Sequence, residues 1–421
     1  MDDLPQRARQ ILPLTIGIYV AGFWFCPNGP LQLVWFVPAV VLPMVAGIRH
    51  EFGRLWRDDR LVLGVGLWLA FVLARSAVAD PGRALGSWAG YGAIFNAALL
   101  AAFVSGVILV GRGQGRQWLA AYALVGALVM TVSAGAFYGA SDKVFPVARL
   151  RNLFVYSDGL HPVLTGMLAA FGATAAAGLA AVSGPRRKRV GWWVCEGILV
   201  LGCLLTHSRG AMLALAAGVV ALALVGRTRR TAAGLGVALA GFAIYQFGLP
   251  GVAEDAPVNP RQGERLENPS AELVGRGDNG RLRLYGIIWN RLEGAGEVAV
   301  GRGIFADRSA GPPEQQWVAP HPHSAALSTF YVAGVAGCLG LGALVLGALA
   351  RWARGGRDPL PLALFAAGVA GLAFDGDALF QIWSVPRVEA LVFWLPWALL
   401  AGSPFDGGGT RRHASRGAPM D

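Results

Sequence analysis

Charged side chains are scarce in this sequence. Asp, Glu, Lys and Arg make up 14% of 421 residues, hydrophobic residues reach 55%, and the mean hydropathy is +0.50. The apolar residues also lack the period of two that a transmembrane β-barrel needs in its ~10-residue strands, which removes a barrel pore. No segment between apolar runs on the basic side exceeds about a dozen residues, too few to fold a nucleotide-binding domain, so ATP-driven transport by this chain alone is excluded. The four cysteines, Cys26, Cys195, Cys203 and Cys338, show no CxxC or Cys/His ligand spacing and read as buried small hydrophobes. No small-x-small cleavage site follows the first apolar run, where "CPNGP" stands, so that run is expected to be a retained anchor.

What is present is a series of apolar runs near the ~20 residues that cross a bilayer. They predict an all-α polytopic membrane protein of about twelve transmembrane helices, at 11–26, 31–48, 61–79, 86–110, 117–137, 161–182, 191–206, 209–226, 231–249, 323–350, 360–376 and 388–401. With a cytoplasmic N-terminus, the inner face receives Arg7/Arg9, Arg49 to Arg60, Arg112/Arg116, Arg186 to Arg189, Arg227 to Arg230, Arg351 to Arg357 and Arg411/Arg412/Arg416. That is 21 of the 36 Lys and Arg, all in short segments, as the positive-inside rule requires. Both termini are then cytoplasmic. The formal charge of +11 is spread over these segments rather than gathered on one face, so it reads as membrane topology and not as nucleic-acid binding. The chain divides into helices 1–9 (1–249), a long outer loop (250–322), helices 10–12 (323–401) and a basic tail (402–421).

Within the long loop, "GRLRLYGIIWNRLEGAGE" places Leu282, Tyr285, Trp289 and Leu292 at helical spacing beside Arg281, Arg283 and Arg291, which predicts an amphipathic helix at the outer surface. Three further features open on the same face. In "LLTHSRGAMLALAAG", Arg209 follows residues able to N-cap the eighth span. Its charge there opposes the positive end of the helix dipole unless an anion is bound, and free N–H groups with a planar guanidinium suit a phosphate. An arginine snorkelling to headgroup phosphates is the other reading. In "APHPHSAALSTFYVAGVAG", Pro322 suits the first turn of a helix and would place His323 in it. The dipole disfavours an imidazolium there, leaving a ring nitrogen able to take a proton. His321 and His323 lack a third nearby zinc ligand. In "FDGDALFQIWSVPRVE", Asp375 could orient a histidine or an arginine, while Asp377 reads as ordinary loop solvation. Glu196, well inside the seventh span, has no assigned role.

Three motifs resemble the O-antigen ligase and polymerase superfamily of bacterial inner-membrane glycosyltransferases. They are "SRGAML" (208–213), "GRLRLYGIIWNRLEGAGEVAVGRGIF" (280–305), with its Gly301-Arg302-Gly303 turn, and "HPHSAALSTFYVAGVAG" (321–337), whose apolar helix carries a Gly-x-x-Gly step. "DGLHPVLTG" (158–166) is similar to a His-Pro entrance to the sixth span. Val298-Ala299-Val300 stands where the family often has Pro-Leu-Leu before the turn.

The resemblance implies a GT-C-like helical membrane fold whose long loop is periplasmic, in the inner membrane. It implies a donor glycan on undecaprenyl pyrophosphate, an acceptor in the lipopolysaccharide pathway, and neither cofactor nor metal. Arg209 and Arg281 would clamp pyrophosphate, His323 would be the base or acceptor-orienting group, and Asp375 would be an acidic partner. Arg265, His321 and His161 are looser substrate-binding candidates. A ligase passes the glycan to lipid A–core oligosaccharide, a polymerase to another lipid-linked unit. The Arg-x10-Gly pattern of polymerases, here Arg283 and Gly294, is expected by chance in so glycine-rich a chain, and the short 137–160 loop holds no second copy. A flippase or permease using the same arginines would carry charge through mid-membrane, whereas these charges cluster at one face.

Overall fold

The computed structural model of this chain describes residues 6–26, 49–139, 145, 148–154, 162–226, 229–247, 281–307, 322–355, 357–380 and 388–402. Regular structure among them is helical throughout. The elements are α1 (Gln6–Gly22), α2 (Arg49–Asp58), α3 (Arg60–Ala79), α4 (Pro81–Gly86), α5 (Trp88–Gly139), α6 (Pro162–Val182), α7 (Arg186–Leu205), α8 (Arg209–Gly226) and α9 (Arg229–Phe247). After the long loop's α10 (Arg281–Asn290) and α11 (Gly294–Val300) come α12 (Ala325–Arg354), α13 (Pro359–Asp375), a π-helical turn (Ala390–Trp394) and α14 (Leu395–Ala401).

Among the described residues, 6 segments are long and apolar enough to cross a membrane: Arg60–Ala79, Trp88–Gly111, Gly113–Gly139, Pro162–Val182, Arg209–Gly226 and Ala325–Arg354. Ile11–Gly22, Ala232–Gly241, Pro359–Asp375 and Ala390–Ala401 are shorter apolar helices. The described residues are thus those of a multi-pass membrane protein whose regular structure, where described, is helical. The expected span at 31–48 and the tail beyond 402 lie outside the described residues.

The long α5 run doubles back near Arg112. Built Cβ atoms place Gly106 3.5 Å from Ile16 and Gly17 3.1 Å from Trp118. A straight helix would hold residues 106 and 118 about 18 Å apart, too far to meet neighbouring residues of α1. The antiparallel halves pack Tyr19 on Phe103 at 5.1 Å and Trp24 on Tyr122 at 5.3 Å.

Helix α6 is buried on every side and is rich in alanine and glycine, as a central helix approached closely by its neighbours must be. Gly172 faces Leu199 of α7, Gly178 faces Leu360 of α13, and Tyr122 Oη donates to the carbonyl of Leu168 at 3.0 Å. Helices α8 and α13 run antiparallel through small residues: Gly218 meets Ala367, and Gly371 meets Ala214. Arginines tie one end of the bundle. Arg351 forms a bidentate pair with Asp59, the N-cap of α3, with Nη2 2.9 Å from Oδ1; Arg116 reaches Asp358, the N-cap of α13, at 2.8 Å.

Helix α12 is broken ten residues in, at Gly334, where φ is 63°. Carbonyls just before such a break need other donors. The backbone N–H groups of Arg302 and Gly303 supply them, donating to Tyr331 at 2.8 Å and Val332 at 2.9 Å. The Gly301-Arg302-Gly303 turn is thus seated in the break, and Arg75 Nε donates to the Gly301 carbonyl at 2.7 Å. A Cβ on Gly301, whose φ is 77°, would meet the Val332 oxygen at 2.3 Å. Gly301→Ala should therefore cost about 1–3 kcal/mol in strain alone and lower the unfolding temperature in detergent by several degrees. Gly286→Ala in α10, where an added Cβ meets nothing within 4 Å, is the control. Equal unfolding temperatures for the two would show that the turn does not hold the break.

Glu196 of α7 is fully buried, and neither of its carboxylate oxygens has a hydrogen-bond partner among the described residues. It faces Gly234 of α9, one turn beyond the equally unpartnered Trp193 Nε1, and lies away from the site described next.

Candidate functional site

At the end of the bundle opposite the arginine pairs, the starts of α8 and α12 meet the end of α13. A Cβ built on Gly210 lies 3.9 Å from Asp375 Cβ, and one on Gly376 lies 3.1 Å from Ala325 Cβ. Both helix starts share one construction. His207 takes a left-handed φ of 51°, and Ser208 then caps α8 by accepting from Ala211 N at 3.3 Å. His323 takes a φ of 53°, and Ser324 caps α12 by accepting from Leu327 N at 3.4 Å. Histidine tolerates this conformation better than most residues with a Cβ, and serine is among the strongest caps. His323 therefore stands just before the cap, not inside the first turn as Pro322 suggested. The serine wins because its side chain satisfies an amide left open at the helix start.

His323 Nδ1 lies 2.8 Å from Asp375 Oδ1; the histidine side chain is 30% exposed and the aspartate 10%. An ionised Asp375 accepts from Nδ1–H, which leaves the lone pair on Nε2. Arg209 is half-buried as the first residue of α8, one residue before the contact with Asp375. The structure thus brings together Arg209, His323 and Asp375, three residues far apart in the chain.

Asp377, expected to be a solvated loop residue, is 3% exposed, and Glu389 is 4% exposed. The backbone N–H of Asp377 donates to Glu389 Oε1 at 3.3 Å. Burial here is set by the last apolar segment folding over the loop, which local sequence does not display. A strap of residues 148–154 closes the other side: Arg149 Nε donates to the Thr206 carbonyl at 3.0 Å, and Leu150 N donates to Leu205 at 2.8 Å. His207, Asp377, Glu389 and Arg149 were not singled out as site residues. The repeated His-Ser pair ahead of two apolar helices was the one signal that pointed to His207.

Arg281 opens α10, but its side chain, like Arg265, His321 and His161, lies outside the described residues. The packed face of α10 differs from the expected stripe. Leu284 and Ile288 are buried with Tyr331 of α12, while Leu282 is 70% and Trp289 54% exposed. Trp289 stacks on Phe330 at 5.5 Å, so α10 lies along the same half of α12 that starts after His323. Among the described residues no three His, Cys, Asp or Glu gather as they would to hold a metal ion.

The class defined so far is a multi-pass helical membrane protein with an arginine, a histidine and an aspartate gathered where helix termini meet. The family model described as O-antigen ligase matches residues 197–342, from within α7 to within α12, so this part of the chain is similar to that family. Arg209, Arg281 and His323 fall inside it; Asp375 and Glu389 lie beyond it. No curated protein and no solved structure matches.

Proposed function

We propose that this protein is an O-antigen ligase of the bacterial inner membrane. It transfers a glycan from undecaprenyl pyrophosphate to lipid A–core oligosaccharide at the periplasmic face, in lipopolysaccharide biosynthesis. The observation that carries the reading is the His323–Asp375 pair beside the start of α8, where Arg209 stands. His323 Nε2 takes the proton of the acceptor hydroxyl as its oxygen attacks the anomeric carbon. The bond from that carbon to the pyrophosphate oxygen breaks, and undecaprenyl pyrophosphate leaves with the electron pair. In-line attack inverts the sugar. Arg209 and Arg281, with the positive end of the α8 dipole, stabilise the charge growing on the leaving group, so the step runs without a metal or other cofactor. Two lipid-anchored substrates confined to one plane supply proximity.

The test is in vitro transfer of a lipid-linked glycan to lipid A–core by the purified chain, with and without chelator. Transfer unchanged by chelator is expected. Loss with chelator would reject the metal-free mechanism, and glycan chains that lengthen without lipid A–core would make the protein a polymerase instead. Movement of the lipid-linked glycan between leaflets without transfer would make it a flippase.

A further inference from the structure

The segment after the site loop is built unusually. Glu389 is followed at once by the π-helical turn Ala390–Trp394, a widened geometry that recurs at functional positions. The widening presses the Val392 carbonyl onto α13 at Gly368, where an added Cβ would lie 1.7 Å from the oxygen. Gly368 precedes Asp375 by two helical turns. From the two ends of the π turn, Glu389 Oε1 accepts from Asp377 N at 3.3 Å and Trp394 Nε1 donates to the Leu379 carbonyl at 2.9 Å. Thr329 Oγ1 of α12 accepts from Leu379 N at 3.4 Å. The loop directly after Asp375 is thereby held from both flanking elements. An apolar side chain at 389 would fill the same space without the cost of burying a carboxyl, but it would leave the Asp377 amide without this acceptor.

We propose that Glu389 is a positioning residue for the His323–Asp375 pair. By holding the backbone at Asp377 it sets where the Asp375 carboxylate stands beneath Nδ1, and hence how the imidazole is aimed. Displacements of about 1 Å at a reacting pair are enough to slow a reaction strongly. This rests on His323 acting as the base, so the first readout is independent of transfer.

That readout is the rate at which diethyl pyrocarbonate modifies His323 in the purified full-length chain, located by mass spectrometry. Asp375→Ala frees the ring from its tether and should raise the rate by about threefold or more. Glu389→Ala should give the same rise, whereas Glu389→Gln, whose amide oxygen still accepts from Asp377 N–H, should stay near wild type. Wild-type reactivity in Glu389→Ala, or an equal rise in the glutamine variant, would overturn the proposal. Should Glu389→Ala fail to fold, Thr329→Val decides through the second tether of the same loop: a rise supports the proposal and a wild-type rate rejects it. In transfer, Glu389→Ala should lower kcat more than it raises KM and should add no further loss in an Asp375→Asn background. Additive losses would mark a merely structural role. If wild type transfers nothing, the ligase reading fails while the modification rates still decide this one.

Discussion

Alanine at His323 should lower kcat for glycan transfer by about a hundred- to ten-thousandfold, the range that a positioned proton acceptor contributes. The size follows from what the site offers. The histidine is held through Nδ1 by a mostly enclosed carboxylate and is itself partly open, and the base role proposed above falls to its other ring nitrogen. Asp375→Asn should cost about tenfold or more, because an amide can present its NH2 group to the ring and favour the tautomer with hydrogen on Nε2. The measurement is kcat at saturating donor and acceptor. A base that acts in the transition state changes kcat, whereas a residue that only docks the acceptor raises KM and leaves kcat alone. Transfer undiminished in His323→Ala removes the base assignment outright. The double variant should lose no more than His323→Ala, since Asp375 acts through the ring it holds.

Much of this site was legible in the sequence because its parts are local signals. An arginine directly after His-Ser, and a histidine directly before Ser-Ala-Ala, both announce helix starts at polar ends of apolar runs. The two spans on either side of Arg112 were legible from hydropathy, although the backbone runs through the turn as one helical stretch. What sequence could not display are the contacts between elements. The Gly-x-x-Gly step in α12 was visible, but that it breaks the helix at Gly334 depends on a partner turn at Gly301 that fills the gap. The stripe on α10 was half right, because periodicity gives a face and not its partner: Tyr285 and Leu292 pack as expected, but Tyr331 selects Leu284 and Ile288 as the buried residues. Asp377 looked like a solvated loop residue because the side chain that accepts from its amide, Glu389, belongs to the next helical segment. Its place at the edge of an apolar run gave no hint of that role.

Lysine at Arg209 is the sharper of the remaining tests, because it keeps the charge and removes the geometry. If Arg209 were an anchor to lipid headgroups, an ammonium would serve nearly as well. As a clamp on pyrophosphate it presents a planar fork at the start of α8, and lysine cannot make two parallel bonds to one phosphate. Arg209→Ala should lower kcat by about a hundred- to a thousandfold, the cost of removing one donor from a site where negative charge develops. Arg209→Lys should still lose about tenfold or more, with the loss in kcat exceeding any rise in KM for the lipid-linked donor, since that charge grows only as the glycosidic bond breaks. A lysine variant that transfers within about twofold of wild type would return Arg209 to the role of an anchor.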